Sequence, residues 1–287
     1  MSNIESYLFN TNAIRFFEEN KPFWYTSGKI GPYFINTHFI YGNEKDAVDL
    51  LSFIDESLSD KETLPNKVFN KTLEQYNSNE IYKNVIDTMV SYIKENINIA
   101  DIDYISGGER RDWFFSNIIS YILKKPHISI YKDLSTKISK YDFSGNIKID
   151  NLDNKKVLHI ADLITVASSY LRAWIPAVEN LGAKIIWSCV VVDRMQGGKE
   201  AIEQKGITSY SLVNVDTNLF KKAQDMNLIS STQVELLSKF YMDPDNTMKE
   251  FLIAHPEFIE DSLNSSDEKT KKRAILLKEN NIYGIFK

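Results

Sequence analysis

The sequence VLHIADLITVASS spans residues 157–169. It opens with an apolar run, continues with one carboxylate at Asp162 and ends in a turn rich in hydroxyl side chains. A short apolar run of this kind is typical of a buried strand, and the residues after the turn have helical spacing. Ligands of open α/β sheets bind beyond the carboxyl ends of the strands. The stretch therefore predicts a ligand site at one edge of a sheet.

The rest of the chain supplies further strands for such a sheet. Strand-like runs occur at residues 102–106, 128–131, 156–161, 185–192 and 209–213, with helical segments between several of them. This alternation predicts an α/β fold, a mostly parallel sheet flanked by helices. Strands 156–161 and 185–192 are almost wholly apolar, as expected when helices cover both faces. The helix between them, near 168–181, contains Pro176, which should kink or split it.

Two domains are predicted. The α/β domain occupies residues 1–215 and carries a helical insertion at about 44–98, where segments 46–58 and 81–97 have helical spacing and form a hairpin around a polar stretch. Residues 216–287 read as a helical C-terminal extension interrupted by prolines.

Composition limits the class of protein. With 43% hydrophobic and 25% charged residues among 287, a compact globular chain is expected. A formal charge of -5 disfavours a broad electrostatic hold on nucleic acid. The single cysteine, Cys189, lies in an apolar run and predicts a buried thiol without a disulfide. No apolar run approaches the ~20 residues of a membrane span, so we expect a cytoplasmic protein and no membrane partner.

The residues of the opening stretch suit a sugar phosphate. Thr165, Ser168 and Ser169 offer hydroxyls, the following helix offers unpaired amide donors, and Asp162 can accept hydrogen bonds from sugar hydroxyls. The alternative is structural: a serine caps the helix and Asp162 lies in a solvated turn.

The same stretch resembles the ribose-phosphate signature of the type I phosphoribosyltransferases. Three further segments are similar, in the same order, to orotate phosphoribosyltransferase: FWYTSGKIGPYFIN (23–36), YISGGERRDWFF (104–115) and VVVDRMQGGKEAIEQKGI (190–207). The resemblance implies a type I phosphoribosyltransferase fold. It also implies transfer of phosphoribosyl from phosphoribosyl pyrophosphate to a pyrimidine or related base in pyrimidine biosynthesis, with release of pyrophosphate. Mg²⁺ bound mainly through the substrate and a homodimer are further expectations.

Site residues follow from the same resemblance. Asp162 would hold the ribose hydroxyls, Arg111 would bind pyrophosphate, and Lys137 and Lys140 would belong to a catalytic loop at residues 132–146. The substrate-binding positions would be Lys29, Tyr33, Phe34, Lys132, Thr165, Val166, Ala167, Ser168, Ser169 and Arg194. No protein-bound metal is expected, because the sequence has no Cys/His cluster.

The chain departs from the family pattern in three places. Ala161 replaces the first acid of the signature, Val166 and Ala167 replace glycines of the phosphate turn, and the 132–146 loop lacks a histidine. If the turn needs positive φ, Val166 would oppose it. Two alternatives to the transferase therefore stay open: a catalytically degenerate protein that binds a nucleotide or phosphoribosyl ligand in a regulatory role, and an enzyme with altered chemistry on a related sugar phosphate.

Individual residues also have structural alternatives. Tyr33 and Phe34 could be core aromatics, Arg194 could form a local pair with Asp193, and Arg110 with Arg111 could belong to a solvated charge cluster. His159, inside a predicted strand, is expected to be a core histidine.

Overall fold

The structure is a computed structural model that describes residues 4–18, 20–149 and 151–286. The chain divides into two compact units. The first unit comprises Met1–Ala13 and Thr37–Asn214, and the second comprises Ile14–Asn36 and Val215–Lys287. One boundary between the units thus lies near residue 215, and residues 14–36 group with the C-terminal part; the division into two domains at 215 stays a prediction.

The first unit contains the sheet and most of the longer helices. Its helices are α1 (Ile4–Asn10), α2 (Glu44–Ser57), α3 (Leu64–Ser78), α4 (Glu80–Asn96), α5 (Trp113–Leu123), α6 (Ile175–Glu179) and α7 (Gly198–Glu203). Its strands are β5 (Tyr104–Gly108), β6 (His127–Ile130), β7 (Thr136–Ser139), β8 (Lys156–Ile164), β9 (Lys184–Asp193) and β10 (Thr208–Asn214).

The six strands form one sheet in the order β10-β9-β8-β5-β6-β7. All neighbouring pairs are parallel except β6 and β7, which are antiparallel. The predicted fold class, a mostly parallel sheet flanked by helices, is confirmed. Burial explains the apolar runs, because β8 and β9 are almost entirely inaccessible to solvent along their lengths. Cys189 is buried in β9 as a free thiol, and burial raises its pKa to about 12.

Strand β8 is longer than its apolar run predicts. It continues through Asp162 to Ile164, so this carboxylate lies inside the strand and not in the turn that follows. Its hydrogen-bonding partner β9 accompanies it to Ile164, whereas β5 pairs with it only as far as His159. The last residues of β8 thus project past β5, and this overhang lies at the carboxyl edge of the sheet.

The helix after β8 is split, as Pro176 predicts. Residues Tyr170–Trp174 form a single π-helical turn, and α6 begins immediately after it with Pro176 in its first turn. The wider π turn is closed by the Ile175 N–H, which donates to the Tyr170 carbonyl. Pro176 has no N–H to donate to the preceding turn, and the wider π turn directly before it accommodates this missing hydrogen bond without ending the helical run.

The helical insertion has three helices where two were predicted. The polar stretch between the two predicted segments contains α3, whose Val68, Phe69 and Thr72 are buried on one face. Only a few apolar residues mark this face, and the remaining positions are polar, so the stretch resembled a linker. The predicted hairpin is therefore wrong in its helix count.

The predicted catalytic loop at 132–146 contains edge strand β7. This strand pairs with β6 through Ile138 opposite Ile128 and Lys137 opposite Ser129. Asn146 closes the segment: its side-chain nitrogen donates to the Glu62 carbonyl at 2.8 Å. Much of this segment is thus held by main-chain hydrogen bonds.

Within its described residues, the second unit contains one short hairpin, a second antiparallel strand pair that encloses this hairpin in sequence, and five helices. Its strands are β1 (Ile14–Phe16), β2 (Phe23–Trp24), β3 (Ile30–Gly31) and β4 (Tyr33–Ile35), with β1 pairing β4 and β2 pairing β3, both antiparallel. Its helices are α8 (Thr217–Asp225), α9 (Ser231–Met242), α10 (Pro244–Ala254), α11 (Glu257–Leu263) and α12 (Glu268–Glu279). The predicted helical C-terminal segment is confirmed as helical.

Aromatic packing explains why residues 14–36 cluster with the C-terminal helices. The Tyr33 ring contacts Phe220 and Phe240, with centroid separations of 6.4 and 5.7 Å, and Phe16 contacts Phe220. Trp24 stacks on Phe258. Such aromatic pairs contribute about 0.5–1.5 kcal/mol each beyond the burial of their area.

Among the residues described, no helix is long and apolar enough to cross a membrane.

Replacing Lys124 with glycine should stabilise the first unit. Lys124 ends α5 in the left-handed conformation, with φ 54°, and this conformation costs an L-residue about 1 kcal/mol that glycine does not incur. We expect Lys124→Gly to raise the free energy of unfolding by roughly 0.5–1 kcal/mol, measured by chemical denaturation. Lys125→Gly is the matched control, since Lys125 lies outside the set of positive-φ residues; an equal gain from both variants would contradict this account.

Candidate active site

A cavity of about 430 Å³ lies at the carboxyl edge of the sheet in the first unit. Two segments form most of its wall: the loop Glu109–Asp112 after β5, and residues 161–170 from the end of β8 into the following helix. Lys132 and Trp174 complete the lining. The predicted site at a strand end therefore coincides with a cavity large enough for a small ligand.

Asp112 joins the two walls of this cavity. Its Oδ1 accepts a hydrogen bond from the Asp162 N–H at 3.1 Å, and its Oδ2 accepts one from the Gly108 N–H at 2.9 Å. Because β8 projects past β5, the Asp162 N–H has no partner strand on that side. The Asp112 carboxylate takes the place of a strand carbonyl, and it fixes the loop against the sheet.

The Asp162 side chain is buried beside that of Asp112. It is 7% exposed, and its Oδ2 has no hydrogen-bond partner within the described residues. Burial and the neighbouring Asp112 carboxylate raise the pKa of Asp162 to about 7, while the Arg111 guanidinium opposes the rise. Removal from water disfavours the charged form, and so does a like charge nearby. The alternative that placed Asp162 in a solvated turn is wrong.

His159 lies on the protein side of this acid pair. Its Nδ1 is 2.9 Å from the Ser106 Oγ, and its Nε2 is 3.6 Å from the Asp112 Oδ2. The ring is fully buried and packs against Tyr170 and Trp174. The prediction of a core histidine is confirmed, and the ring lies beside the carboxylate that joins the cavity walls.

The turn Thr165–Ser169 needs one left-handed residue, and that residue is Ala167, with φ 57°. Val166 does not have positive φ, and its side chain is 53% exposed. The expectation that Val166 would oppose the turn is therefore wrong, because the left-handed conformation falls one residue later. Alanine has the smallest side chain that an L-residue can bring to such a position.

The segment after β9 packs closely against this turn. A Cβ added to Gly198 would lie 2.6 Å from the Thr165 carbonyl oxygen and 2.7 Å from the Ile164 Cγ1. The Arg194 N–H donates to the Ile164 carbonyl at 3.0 Å. Residues 194–198 thus buttress the end of β8 and the turn, and glycine at 198 is required by close approach.

Three cationic side chains line the cavity near the Glu109–Asp112 loop. Arg110 is paired with Asp55, and Lys132 is paired with Glu109 at 3.3 Å. Arg111 has no ion pair to a residue of the described ranges, and its charge affects both Asp162 and buried His38, whose pKa is lowered to about 3 chiefly by burial. Arg111 is thus the cation most available to an anionic ligand.

Comparison with known proteins identifies relatives over about half of the chain, although no family model matches. Orotate phosphoribosyltransferase from Methanosphaera stadtmanae is 30% identical over 138 residues, which are 48% of this chain and 74% of the relative. The enzyme of that name from Pyrococcus horikoshii is 30% identical over 139 residues, covering 48% and 71%. The chain belongs to the orotate phosphoribosyltransferase family.

Structural comparison agrees on the fold. The crystal structure of orotate phosphoribosyltransferase from Francisella tularensis matches with a TM-score of 0.53 and 15% identity, covering 83% of this chain and 96% of that one. At this identity the similarity bears on fold alone. Within the orotate phosphoribosyltransferase family, this chain is therefore a divergent member.

The cavity brings together eight of the fourteen residues that the sequence assigned to a site. They are Arg111, Lys132, Asp162, Thr165, Val166, Ala167, Ser168 and Ser169. These residues come from three separate segments of the chain. Their roles in this family member stay predictions, while their proximity is a property of the fold.

Lys137 and Lys140 are not among the residues that line the cavity. Lys137 lies on edge strand β7 and is paired with Glu62, whose side chain also accepts a hydrogen bond from Asn146. Lys140 is exposed after the strand. Hydrogen bonding of β7 to β6 holds Lys137 in the sheet, so this chain does not itself bring either lysine to its own cavity.

The predicted substrate-binding residues near the N-terminus, Lys29, Tyr33 and Phe34, belong to the second unit. Tyr33 is 3% exposed and packs in the aromatic core of that unit, while Phe34 is partly buried between Phe23 and Tyr25. Lys29 forms an ion pair with Asp245 at 2.7 Å. The local environment of Tyr33 favours its structural alternative, a core aromatic.

Arg194 also lies outside the cavity lining, directly after β9. Neighbouring Asp193 is buried, and its Oδ1 accepts the Met195 N–H at 2.7 Å. The Asp193 carboxylate therefore closes the turn through this backbone hydrogen bond. An ion pair with Arg194 is not needed to explain its position.

Sequence reasoning missed Asp112, Glu109 and Trp174 as cavity residues. Asp112 is not among the predicted site residues, since nothing in the local pattern shows that its carboxylate reaches a strand 50 residues away. The close approach of Trp174 to Gly108 is also nonlocal: a Cβ on this glycine would overlap the indole ring. One feature of the sequence does indicate such close contacts. Gly107 and Gly108 end β5, and glycine pairs are typical of positions where other residues approach the backbone closely.

Replacing Ala167 with glycine should relieve strain in the turn. Because Ala167 has positive φ, we expect Ala167→Gly to increase the free energy of unfolding by about 1 kcal/mol. Val166→Gly is the control and should lower stability, since it adds only chain freedom to the unfolded state. Chemical denaturation measures both variants; a gain from Val166→Gly with a loss from Ala167→Gly would show that the left-handed position is misassigned.

Replacing Asp162 with asparagine should remove a pH-dependent loss of stability. With a raised pKa, folded Asp162 keeps a proton between about pH 4 and pH 7 that the unfolded chain releases, so this group makes wild-type stability fall as pH rises through that window. The unfolding free energy of Asp162→Asn minus that of the wild type should therefore increase by on the order of 3 kcal/mol between pH 4 and pH 8.

Denaturant unfolding of both proteins at several pH values measures this difference. Parallel stability curves across the window would contradict a raised pKa for the buried carboxyl.

Proposed function

We propose that this protein transfers a phosphoribosyl group from phosphoribosyl pyrophosphate to a pyrimidine or related base and releases pyrophosphate. The observation that carries the proposal is the single cavity in which a buried carboxylate, a helix-terminal turn and the Arg111 loop meet. Named relatives of the chain are orotate phosphoribosyltransferases. These relatives favour a transferase over the regulatory alternative.

Each part of the cavity suits one part of the substrate. Hydroxyls of Thr165, Ser168 and Ser169, with the unpaired N–H groups that begin a helix, suit the 5′-phosphate. Asp162 suits the ribose hydroxyls as a hydrogen-bond acceptor. Arg111 suits the pyrophosphate, since a guanidinium can bind phosphate oxygens with two parallel hydrogen bonds.

These contacts would promote transfer by orientation and charge stabilisation. The bond from C1′ of the sugar to pyrophosphate breaks as the base nitrogen approaches, so negative charge grows on the departing pyrophosphate and positive charge on the sugar ring. Arg111 would stabilise the first charge, and an ionised Asp162 the second. A protein nucleophile is not required for this reaction, and none of the cavity residues needs that role.

We also propose that Mg²⁺ takes part. Within the described residues no group of three acidic, histidine or cysteine side chains forms a ready metal site. Mg²⁺ commonly binds through one or two carboxylates together with substrate phosphates. The ligands of the ion would then come mainly from the substrate, and Asp162 would act on it through the ribose hydroxyls that it holds. When bound, the ion would neutralise charge on the pyrophosphate.

The family resemblance supports a homodimer as a further proposal. In such a dimer, Lys137 and Lys140 could serve the cavity of the other copy. Light scattering of the purified protein distinguishes a dimer from a monomer, and mixing a Lys140→Met chain with an Arg111→Met chain tests sharing. Recovered activity in the mixture supports a shared site, while no recovery contradicts it.

The proposed activity is tested by calorimetric titration with phosphoribosyl pyrophosphate and Mg²⁺, followed by a pyrophosphate-release assay across orotate, uracil and other heterocyclic bases. Binding with base-dependent release is the expected result. Binding without release for any base would favour the regulatory alternative, and absence of binding would remove both.

Replacing Arg111 with lysine should weaken pyrophosphate binding while keeping the positive charge. Loss of one of two charge-assisted hydrogen bonds, worth about 1.5–3 kcal/mol, predicts a roughly ten- to hundredfold lower affinity for pyrophosphate. Arg273→Lys serves as the control, because Arg273 belongs to the second unit and its guanidinium donates to the Trp24 carbonyl. Calorimetry with pyrophosphate measures both; equal affinities for Arg111→Lys and wild type would exclude the bidentate contact.

A further inference from the structure

The cavity contains a second buried carboxyl that the proposed function does not use. Asp112 lines the same space as Asp162, and its side chain is only 9% exposed. The third acid of the lining, Glu109, is engaged differently: Lys132 pairs with it through both its main-chain N–H and its ammonium group. Asp112 and Asp162 thus form a pair of acids at the base of the cavity.

The two carboxyl groups lie within reach of each other. The Asp162 N–H donates to the Asp112 Oδ1, and the Asp112 carboxylate is one of the causes that raise the pKa of Asp162. Two buried acids in contact repel one another when both are ionised. Such an arrangement is costly unless hydrogen-bond donors are supplied from outside.

The unused acceptor capacity of the pair is considerable. The Asp162 Oδ2 is buried and has no hydrogen-bond partner in the described part of the chain. Each Asp112 oxygen accepts one backbone N–H, from Asp162 or from Gly108. Since an ionised carboxylate has about four acceptor positions, Asp112 keeps roughly two of them for a ligand.

A vicinal diol has the complementary chemistry. It presents two neighbouring O–H donors and no charge, so it can satisfy two adjacent carboxylates where an anion would be repelled. We propose that Asp112 and Asp162 together bind the two ring hydroxyls of a ribose phosphate, one hydroxyl to each carboxylate. Asp112 is then a substrate-binding residue as well as the link between the cavity walls. This inference rests on the proposed function, whose substrate carries that diol.

The position of Asp112 has a further consequence for strand β8. The residue before Asp162 is Ala161, which is buried in an apolar cluster that includes Tyr170 and Trp174. A methyl group at this position cannot accept a hydrogen bond. Strand β8 therefore provides one carboxylate acceptor here, that of Asp162. The second carboxylate, that of Asp112, comes from the loop after β5.

The test compares four probes by calorimetry: ribose 5-phosphate, its 2-deoxy form, its 3-deoxy form, and inorganic phosphate. The wild type should discriminate against both deoxy sugars, because each leaves one buried acceptor unpaired. Asp112→Asn should bind ribose 5-phosphate about tenfold or more weakly, discriminate less against one of the deoxy sugars, and bind inorganic phosphate as the wild type does.

The matched control is Asp216→Asn. Asp216 also accepts two backbone N–H groups, those of Asn218 and Leu219, at the beginning of α8, and it does not line the cavity. This variant should leave all four affinities unchanged. A loss in Asp112→Asn that is equal for every probe would show that Asp112 only supports the loop, and would overturn the inference while sparing the proposed function. A wild type that binds none of the probes would overturn both.

A crystal structure of the wild-type protein with ribose 5-phosphate gives a second test that requires no variant to fold. We expect an Asp112 oxygen within hydrogen-bonding distance, roughly 2.5–3.0 Å, of one ring hydroxyl, and an Asp162 oxygen equally close to the other. Both hydroxyls bound by Asp162 alone would overturn the inference.

Discussion

The hydrogen bond from the Asp162 N–H to the Asp112 carboxylate is the interaction on which the cavity depends. Strand β8 extends past its neighbour β5, and a buried main-chain N–H without an acceptor is costly. Asp112 provides that acceptor from a loop, and its other oxygen holds the Gly108 N–H. Two segments that would otherwise be independent are thereby fixed at a distance that leaves space for a small ligand. Arg111 and the Thr165–Ser169 turn owe their shared cavity to this link.

The same region concentrates features that work against stability. Asp162 is buried next to a like-charged group, Ala167 adopts a left-handed conformation, and the His159 Nε2 is buried without a hydrogen-bond partner among the described residues. Elsewhere in the sheet, β8 and β9 bury apolar side chains in the usual way. Unfavourable groups that persist at one place in an otherwise well-packed fold are typical of a ligand site. The residues that stabilise the sheet are thus distinct from the residues whose unfavourable environment indicates a ligand site.

The sequence predicts the parallel sheet and the position of the ligand site at its carboxyl edge, because both depend on local patterns. Buried parallel strands such as β8 are continuous apolar runs, and a hydroxyl-rich turn follows at once. What local pattern could not show is contact between distant segments. Asp112 acts on a strand 50 residues away, and Tyr33 is buried by rings nearly two hundred residues later, at Phe220 and Phe240. Short, polar β7 is likewise stabilised by its pairing with β6 and not by its own composition.

The interleaved course of the chain through its two units has a consequence for folding. Residues 14–36 are made early, but the partners that cover them are made last: Gln233 donates to the Phe17 carbonyl, Tyr283 receives the Ile30 N–H, and Phe220 covers Phe16 and Tyr33. During synthesis this aromatic segment must stay uncovered while the whole α/β unit emerges. Contacts of such sequence separation close slowly, since the intervening chain must be ordered first. The second unit is therefore the part of the molecule that completes its native structure last, and the hydrophobic segment 14–36 stays exposed to solvent until it does.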